Sequence, residues 1–331
     1  GAGSGTGGFA GARAFVGLID ILGTASASAN GGGGAGGFNF GADGGDGIGG
    51  TALFQAEGTL TEVGELRVGL DATVFAAANG GKGGQGDNVT APGTGGDATG
   101  GEGGTPNSAQ QDFTNGAYLL AGADNGTLDV GGFAVVNANA TGGEGGDTLD
   151  TATAAGAVGT VTGGTAIAGV SLFSNIDGSG GAGRAQLGNV VIGATGSGGV
   201  GGLDISGGGQ STGSDPAGPG GQGTGGEATF LVTAGVANAG EVRATANGSG
   251  GEGRTGGDGN GGTAGVRGSL EGIGAISGLF LNAVGTGNSS AVGAGGRGQG
   301  GTAVVAASGI GLTISGDDSL DGSGQGGASL N

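Results

Sequence analysis

Glycine supplies 101 of the 331 residues, and where those glycines fall constrains this chain more than anything else in it. They cluster in runs with a two-in-three rhythm, such as Gly80-Gly81-Lys82-Gly83-Gly84-Gln85-Gly86 and Gly142-Gly143-Glu144-Gly145-Gly146-Asp147. Between the runs lie blocks of alternating apolar residues. Glycine loses more backbone entropy on ordering than any other residue, so scattered glycines would predict a flexible coil. Runs set between apolar blocks predict a repetitive, extended architecture instead. Ordering it means offsetting roughly 1–2 kcal/mol of backbone entropy per residue. A large apolar core is not the means: the chain has 11 Phe, 1 Tyr and no Trp or Met, and much of its apolar content is Ala. Dense main-chain hydrogen bonding between closely approaching backbones is, at about 0.5–1.5 kcal/mol net per bond.

A start signal, Gly-Gly-Thr-Ala, recurs at 49–52, 163–166, 261–264 and 300–303. Degenerate versions are Gly7-Gly8-Phe9-Ala10, Gly103-Gly104-Thr105-Pro106 and Gly225-Gly226-Glu227-Ala228. Units therefore begin near residues 7, 49, 103, 163, 225, 261 and 300, and 1–331 reads as one continuous repeat domain. Spacing varies because the glycine part of each unit stretches while the apolar part stays nearly constant.

Inside the units the alternation has period two. Leu66, Val68, Leu70, Ala72, Val74 and Ala76 line one face, with Glu65, Arg67, Asp71 and Thr73 opposite. Leu128, Val130, Ala134, Val136, Ala138 and Ala140 repeat the pattern, as do Val242, Ala244 and Ala246, and then Ile310, Leu312 and Ile314. This is the signature of strands buried on one face. Helix is disfavoured, since glycine at this density costs about 1 kcal/mol per helical site. The glycine runs can instead follow a polyproline II path of three residues per turn, bonded laterally because no Cβ holds neighbours apart. Pro92, Pro106, Pro216 and Pro219 sit in or beside those runs, where their fixed φ suits the same path. The expected fold is all-β: a right-handed parallel β-helix, or solenoid, with glycine-rich polyproline-II-type segments packed alongside. A β-sandwich with a glycine-helix bundle is the alternative, because alternation alone does not separate the two.

Charge and missing residue types narrow the function. The formal net charge is −19, with a single Lys, so the chain is repelled by nucleic acid and by anionic membranes. Cys and His are absent, which removes disulfides, thiolate metal sites, the usual general base and the commonest metal ligand. Paired carboxylates could hydrolyse glycosides, but sugar clefts want aromatic platforms and Trp is absent. The chain is expected not to be an enzyme, and no catalytic or cofactor-binding residue is singled out. No apolar run is long enough for a membrane-spanning helix. Without an initiator Met or a signal peptide, the chain reads as a mature or excised piece of something longer.

Two further patterns are weighed. Gly142 to Asp150 matches the nonapeptide of calcium-binding β-rolls once, which makes Asp147 and Asp150 candidate ligands for weak calcium binding at about millimolar affinity. Such sites need tandem copies, and solvated acids that keep a lysine-poor surface soluble explain these residues as well. The acid pairs Asp43 with Asp46 and Asp317 with Asp318 are read the same way. Asn-x-Ser/Thr triplets start at Asn88, Asn125, Asn139, Asn247 and Asn288, as chance allows in a chain of this composition.

The succession of Gly-Gly-Thr-Ala, alternating Val/Ile/Leu/Ala and Gly-Gly-x-Gly-Gly runs resembles the glycine-rich repeats of large bacterial surface exoproteins. These are the filamentous-haemagglutinin-like and autotransporter-like adhesins, and the resemblance covers essentially the whole chain. It implies secretion, an extracellular or cell-surface location, a β-helical shaft, and a role in adhesion, biofilm or a surface layer. Gly36-Gly37-Phe38-Asn39-Phe40-Gly41 is also similar to the glycine repeats of mycobacterial surface proteins. A third likeness is to antifreeze and phage-tip proteins built from glycine helices. Thr51, Thr165, Thr263 and Thr302 recur once per unit, but their uneven spacing does not match an ice lattice. The expected function is that of a structural, non-catalytic component of a fibre or adhesin whose main partner is itself. A surface or glycan ligand for the glycine loops is the alternative.

Overall fold

The alternating blocks fold as strands, and each strand pairs in parallel with its equivalent in the next repeat. The computed structural model describes residues 2–37, 41–59, 61–87, 90–101, 115–122, 125–148, 158–171, 183–202, 218–233, 235–269, 272–290, 293–309 and 311–329. Among these the chain is all-β, with no helix and with every sheet parallel. None of its elements is a helix long and apolar enough to cross a membrane.

Each repeat visits four sheets in the same order, called A to D here. In the second repeat the strands are Gly47–Ile48 in sheet A, Thr51–Glu57 in B, Gly64–Val68 and Ala72–Phe75 in C, and Ala78–Asn79 in D. Sheets A, B and D each hold 7 strands; sheet C holds 12, because the fifth and sixth repeats run straight through it as Gly235–Thr245 and Ile273–Asn282. Parallel strands in fixed register stack identical positions. The alanine of the start signal thus forms one column: Ala10, Ala52, Ala117, Ala166, Ala228, Ala264 and Ala303. The result is a solenoid-like stack with its core between sheets B and C.

That core is made of such columns. Ala25, Ala72, Ala134, Val190, Val242 and Leu279 form one, and Ala27, Val74, Val136, Ile192, Ala244 and Leu281 the next. Phe54, Leu119 and Phe230 face them from sheet B, and all are buried. The period-two faces therefore match, with one correction. Leu70 is not in the core; it is 55% exposed on the bend Gly69–Leu70–Asp71, where the strand has already ended at Val68. Three bend residues return the chain to the same parity at Ala72. Ile310 lies outside the described residues.

Two further features depart from the sequence expectation. The third unit begins at Gly100-Gly101 rather than near 103: the Gly100 N–H donates to Thr162 O as Gly49 donates to Thr99 O and Gly163 to Thr224 O. The Gly103-Gly104-Thr105-Pro106 signal lies outside the described residues. Sheet B is also buried on both faces, not one: Thr51–Glu57 and Gly116–Gly122 are buried throughout. Its outward side chains Leu53, Tyr118, Leu120, Ile167 and Leu231 form a second apolar cluster.

Candidate functional surfaces

The start signal marks a place where two backbones touch. The first glycine of each pair lies against an alanine carbonyl of the opposite layer. A Cβ on Gly49, Gly100, Gly163, Gly225 or Gly261 would stand 2.0–2.1 Å from the carbonyl oxygen of Ala76, Ala138, Ala194, Ala246 or Ala283, respectively. The second glycine of the next repeat's pair donates its N–H to that same oxygen, as Gly164 does to Ala138 and Gly226 to Ala194, at 2.7 and 2.6 Å. The following residue returns a bond to the previous repeat, as Thr165 N–H does to Gly101 O at 2.8 Å. A close approach that no Cβ allows is what fixes Gly-Gly at this position.

Beyond the pinch the chain is a glycine layer with a three-residue bonding pattern. Along residues 80–86, the N–H groups of Gly80, Gly83 and Gly86 donate to the next repeat, at Thr141, Glu144 and Asp147. Those of Gly81 and Gly84 donate across the layer to Gly45 and Ala42, while Lys82 turns its partly exposed side chain outward. Residues 142–146 repeat this: Gly142 and Gly145 donate to the next repeat, Gly143 and Gly146 across. Two glycines in every three therefore carry the two lateral bonds, and the third position is free to hold a side chain. This is the physical origin of the two-in-three rhythm.

Corner residues tie successive repeats together with side chains. Before sheet A, Asp46 Oδ1 accepts the Asp97 N–H at 3.0 Å and Asp97 Oδ1 accepts the Thr160 N–H at 2.6 Å, while Asp258 accepts that of Arg297 at 2.7 Å. Before sheet D, Asn30, Asn139 and Asn247 accept the N–H groups of Ala77, Thr195 and Val284 at 2.8–3.0 Å. At the bend of sheet C, Asp71 and Asn189 serve Phe133 and Glu241 in the same way. In each bond the acceptor belongs to the earlier repeat. Asn139 and Asn247, which start Asn-x-Ser/Thr triplets in the sequence, are structural corner residues. Removing the acceptor with Asn139→Ala leaves the Thr195 N–H unpaired and should cost about 1 kcal/mol, measurable by urea unfolding.

Several acidic residues are engaged by the backbone or by cations. Asp43 Oδ1 accepts both the N–H and the hydroxyl of Thr94 at 2.8 Å, and these bonds hold its carboxyl below the usual range. Asp43, Asp46 and Asp97 line an open furrow of about 560 Å³ along sheet A. The Lys82 ammonium stands 3.1 Å from Asp147 and 3.4 Å from Glu144. Partial burial pulls the pKa of Lys82 down, but the hydrogen bond and charge of Asp147 and the charge of Glu144 outweigh it and the net shift is upward. Of the two candidate calcium ligands, Asp147 thus has a lysine as its cation, and Asp150 lies outside the described residues. No cluster of three or more potential metal ligands occurs among the described residues.

The outer face of sheet B carries buried polar groups that sequence reading passed over. Arg13 pairs with Glu57, which is 4% exposed, and Arg267 approaches Glu227 at 3.3 Å. Burial, with the nearby charge of Glu227, pushes the Tyr118 hydroxyl strongly upward, so it stays protonated in any ordinary buffer. Polarity in these strands gave no sign of burial. Compared with protein-family models, with curated proteins and with solved structures, the chain matches none of them.

Proposed function

We propose that this chain is a non-catalytic structural segment of an extracellular or cell-surface fibre. In this reading the parallel stack closes as a right-handed β-helix and the glycine runs follow polyproline-II-type paths beside it. The handedness rests on the general preference of parallel crossover connections. The glycine path rests on the three-residue recurrence of lateral bonds along residues 80–86 and 142–146.

One observation carries the proposal. Unbroken parallel register links strands through all the described repeats. A stack in which each repeat contacts only its neighbours extends to any length, as a fibre requires, and copies of the chain itself are the proposed partner. The carboxylates that could have served chemistry, Asp43, Asp46 and Asp97, spend an oxygen each on the backbone of the following repeat. Resemblance to bacterial surface exoproteins points to the same setting.

The test is mechanical. Stretched from its two ends in a single-molecule force instrument, the chain should yield in steps, each releasing one repeat. Successive repeats start at Gly5, Gly47, Ala98, Val161, Gly223, Gly259 and Gly298. At roughly 3.3–3.6 Å per extended residue, each step should lengthen the chain by about 120–230 Å. Smooth extension at low force, without steps, would remove the load-bearing reading.

A further inference from the structure

Asn-Gly pairs start at Asn30, Asn79, Asn115, Asn125, Asn247 and Asn260. Asparagine followed by glycine is the pair most prone to deamidation, because glycine has no side chain to hinder its own nitrogen. In that reaction the glycine N–H gives up its proton and its nitrogen bonds to the asparagine Cγ. The Cγ–Nδ2 bond breaks, ammonia leaves carrying the proton, and a cyclic imide remains. Water then opens the ring, giving aspartate, or isoaspartate when it adds at the main-chain carbonyl. Water is the only co-reactant.

Asn115 and Asn125 stand at turns, with φ of 37° and 52°. The other four flank the short strands of sheets A and D. Asn30 and Asn247 precede Gly31–Gly32 and Gly248–Ser249, while Asn79 and Asn260 end Ala78–Asn79 and Gly259–Asn260. In all four the glycine nitrogen is already engaged. Gly31 donates its N–H to Ala77 O, Gly80 to Thr141 O, Gly248 to Val284 O and Gly261 to Gln299 O, at 2.8–2.9 Å. Every acceptor belongs to the next repeat. Burial of the asparagine side chain is not the common feature, since Asn79 is exposed while Asn247 and Asn260 are half-buried. What the four share is an attacking nitrogen tied into the ladder, and freeing it requires the neighbouring repeat to lift away. Asn30 and Asn247 carry a second tie, because their Oδ1 atoms accept the N–H groups of Ala77 and Val284.

We propose that Asn30, Asn79, Asn247 and Asn260 are latent deamidation sites that stacking of the next repeat keeps closed. While the stack is intact the reaction is slow, even at the exposed Asn79. A repeat that lifts away frees the glycine nitrogen and allows conversion. Isoaspartate adds one carbon to the main chain at that point, which displaces the following N–H groups from their register partners and hinders the repeat from reseating. Opening of a repeat, otherwise reversible, then becomes permanent.

Peptide mapping by mass spectrometry tests this on the full chain, aged at mildly alkaline pH both folded and unfolded in guanidinium chloride. Hydrogen exchange of the amides of Gly31, Gly80, Gly248 and Gly261 is measured on the folded chain alongside. All four asparagines should deamidate at least about tenfold more slowly in the folded chain, Asn79 included, and most slowly where the glycine amide is best protected. Equal rates in the folded and unfolded chain would overturn the proposal. Fast conversion of Asn79 with slow conversion of Asn247 and Asn260 would also overturn it, by assigning the protection to side-chain burial. Slowing that does not follow the exchange of the glycine amides would overturn the role of the bond to the next repeat.

Discussion

Gly163→Ala should destabilise the protein by at least about 3 kcal/mol, at the upper end of what single substitutions do. The added methyl would sit 2.1 Å from Ala194 O and 2.7 Å from Gly226 N, and both are backbone atoms. Neither can rotate away as a side chain would. Ala194 O also accepts the Gly226 N–H at 2.6 Å, so pushing the layers apart breaks that bond too. The matched control is Gly32→Ala, where nothing lies within 4 Å of the added carbon. There the loss of unfolded-state freedom should leave stability unchanged or raise it by about 0.4–1 kcal/mol. Denaturant unfolding of both variants separates close approach from glycine's generic entropy cost. Equal effects at the two sites would mean the layers are not in contact at Gly163.

Phe230→Ala should cost about 3–5 kcal/mol. The ring is fully buried, and its column neighbours Ala168 and Val266 are too small to collapse into the space it leaves. Phe133→Ala provides the contrast: this ring is 51% exposed on the sheet C bend, and the bond from its own N–H to Asp71 survives the change. Its effect should stay within about 0.5 kcal/mol. A small loss for both would mean that main-chain bonding alone holds the stack together. The expected contrast says the thin core still matters in a chain so poor in aromatic residues.

Local rules made much of this architecture legible. Period-two alternation placed Leu66, Val68, Ala72 and Val74 in the core because sheet C is wet on one side. The glycine rhythm was legible because each glycine obeys a contact that only its own lack of a side chain permits. What failed depended on distant parts of the chain. At the third repeat the start signal is split: Gly100-Gly101 is separated from Gly116-Ala117 by intervening sequence that contains a better-looking decoy. Gln55, Glu57 and Thr229 are polar and carry no local sign of burial, yet all three are buried on the outer side of sheet B. The corner residues were hidden for another reason. Asn139 and Asp97 act on repeats that lie 56 and 63 residues ahead, and no local pattern reports a bond of that span.

The corner bonds also have a consequence for how such a stack is built. Asp46, Asn139, Asp71 and their counterparts always offer an oxygen to a backbone N–H that comes later in the chain. A polypeptide leaves the ribosome from its N-terminus. Each arriving repeat therefore meets a finished edge with its acceptors already in place. Its corner N–H groups need no partner that has yet to emerge. Stacking in this molecule has an arrow, and it runs in the direction of synthesis.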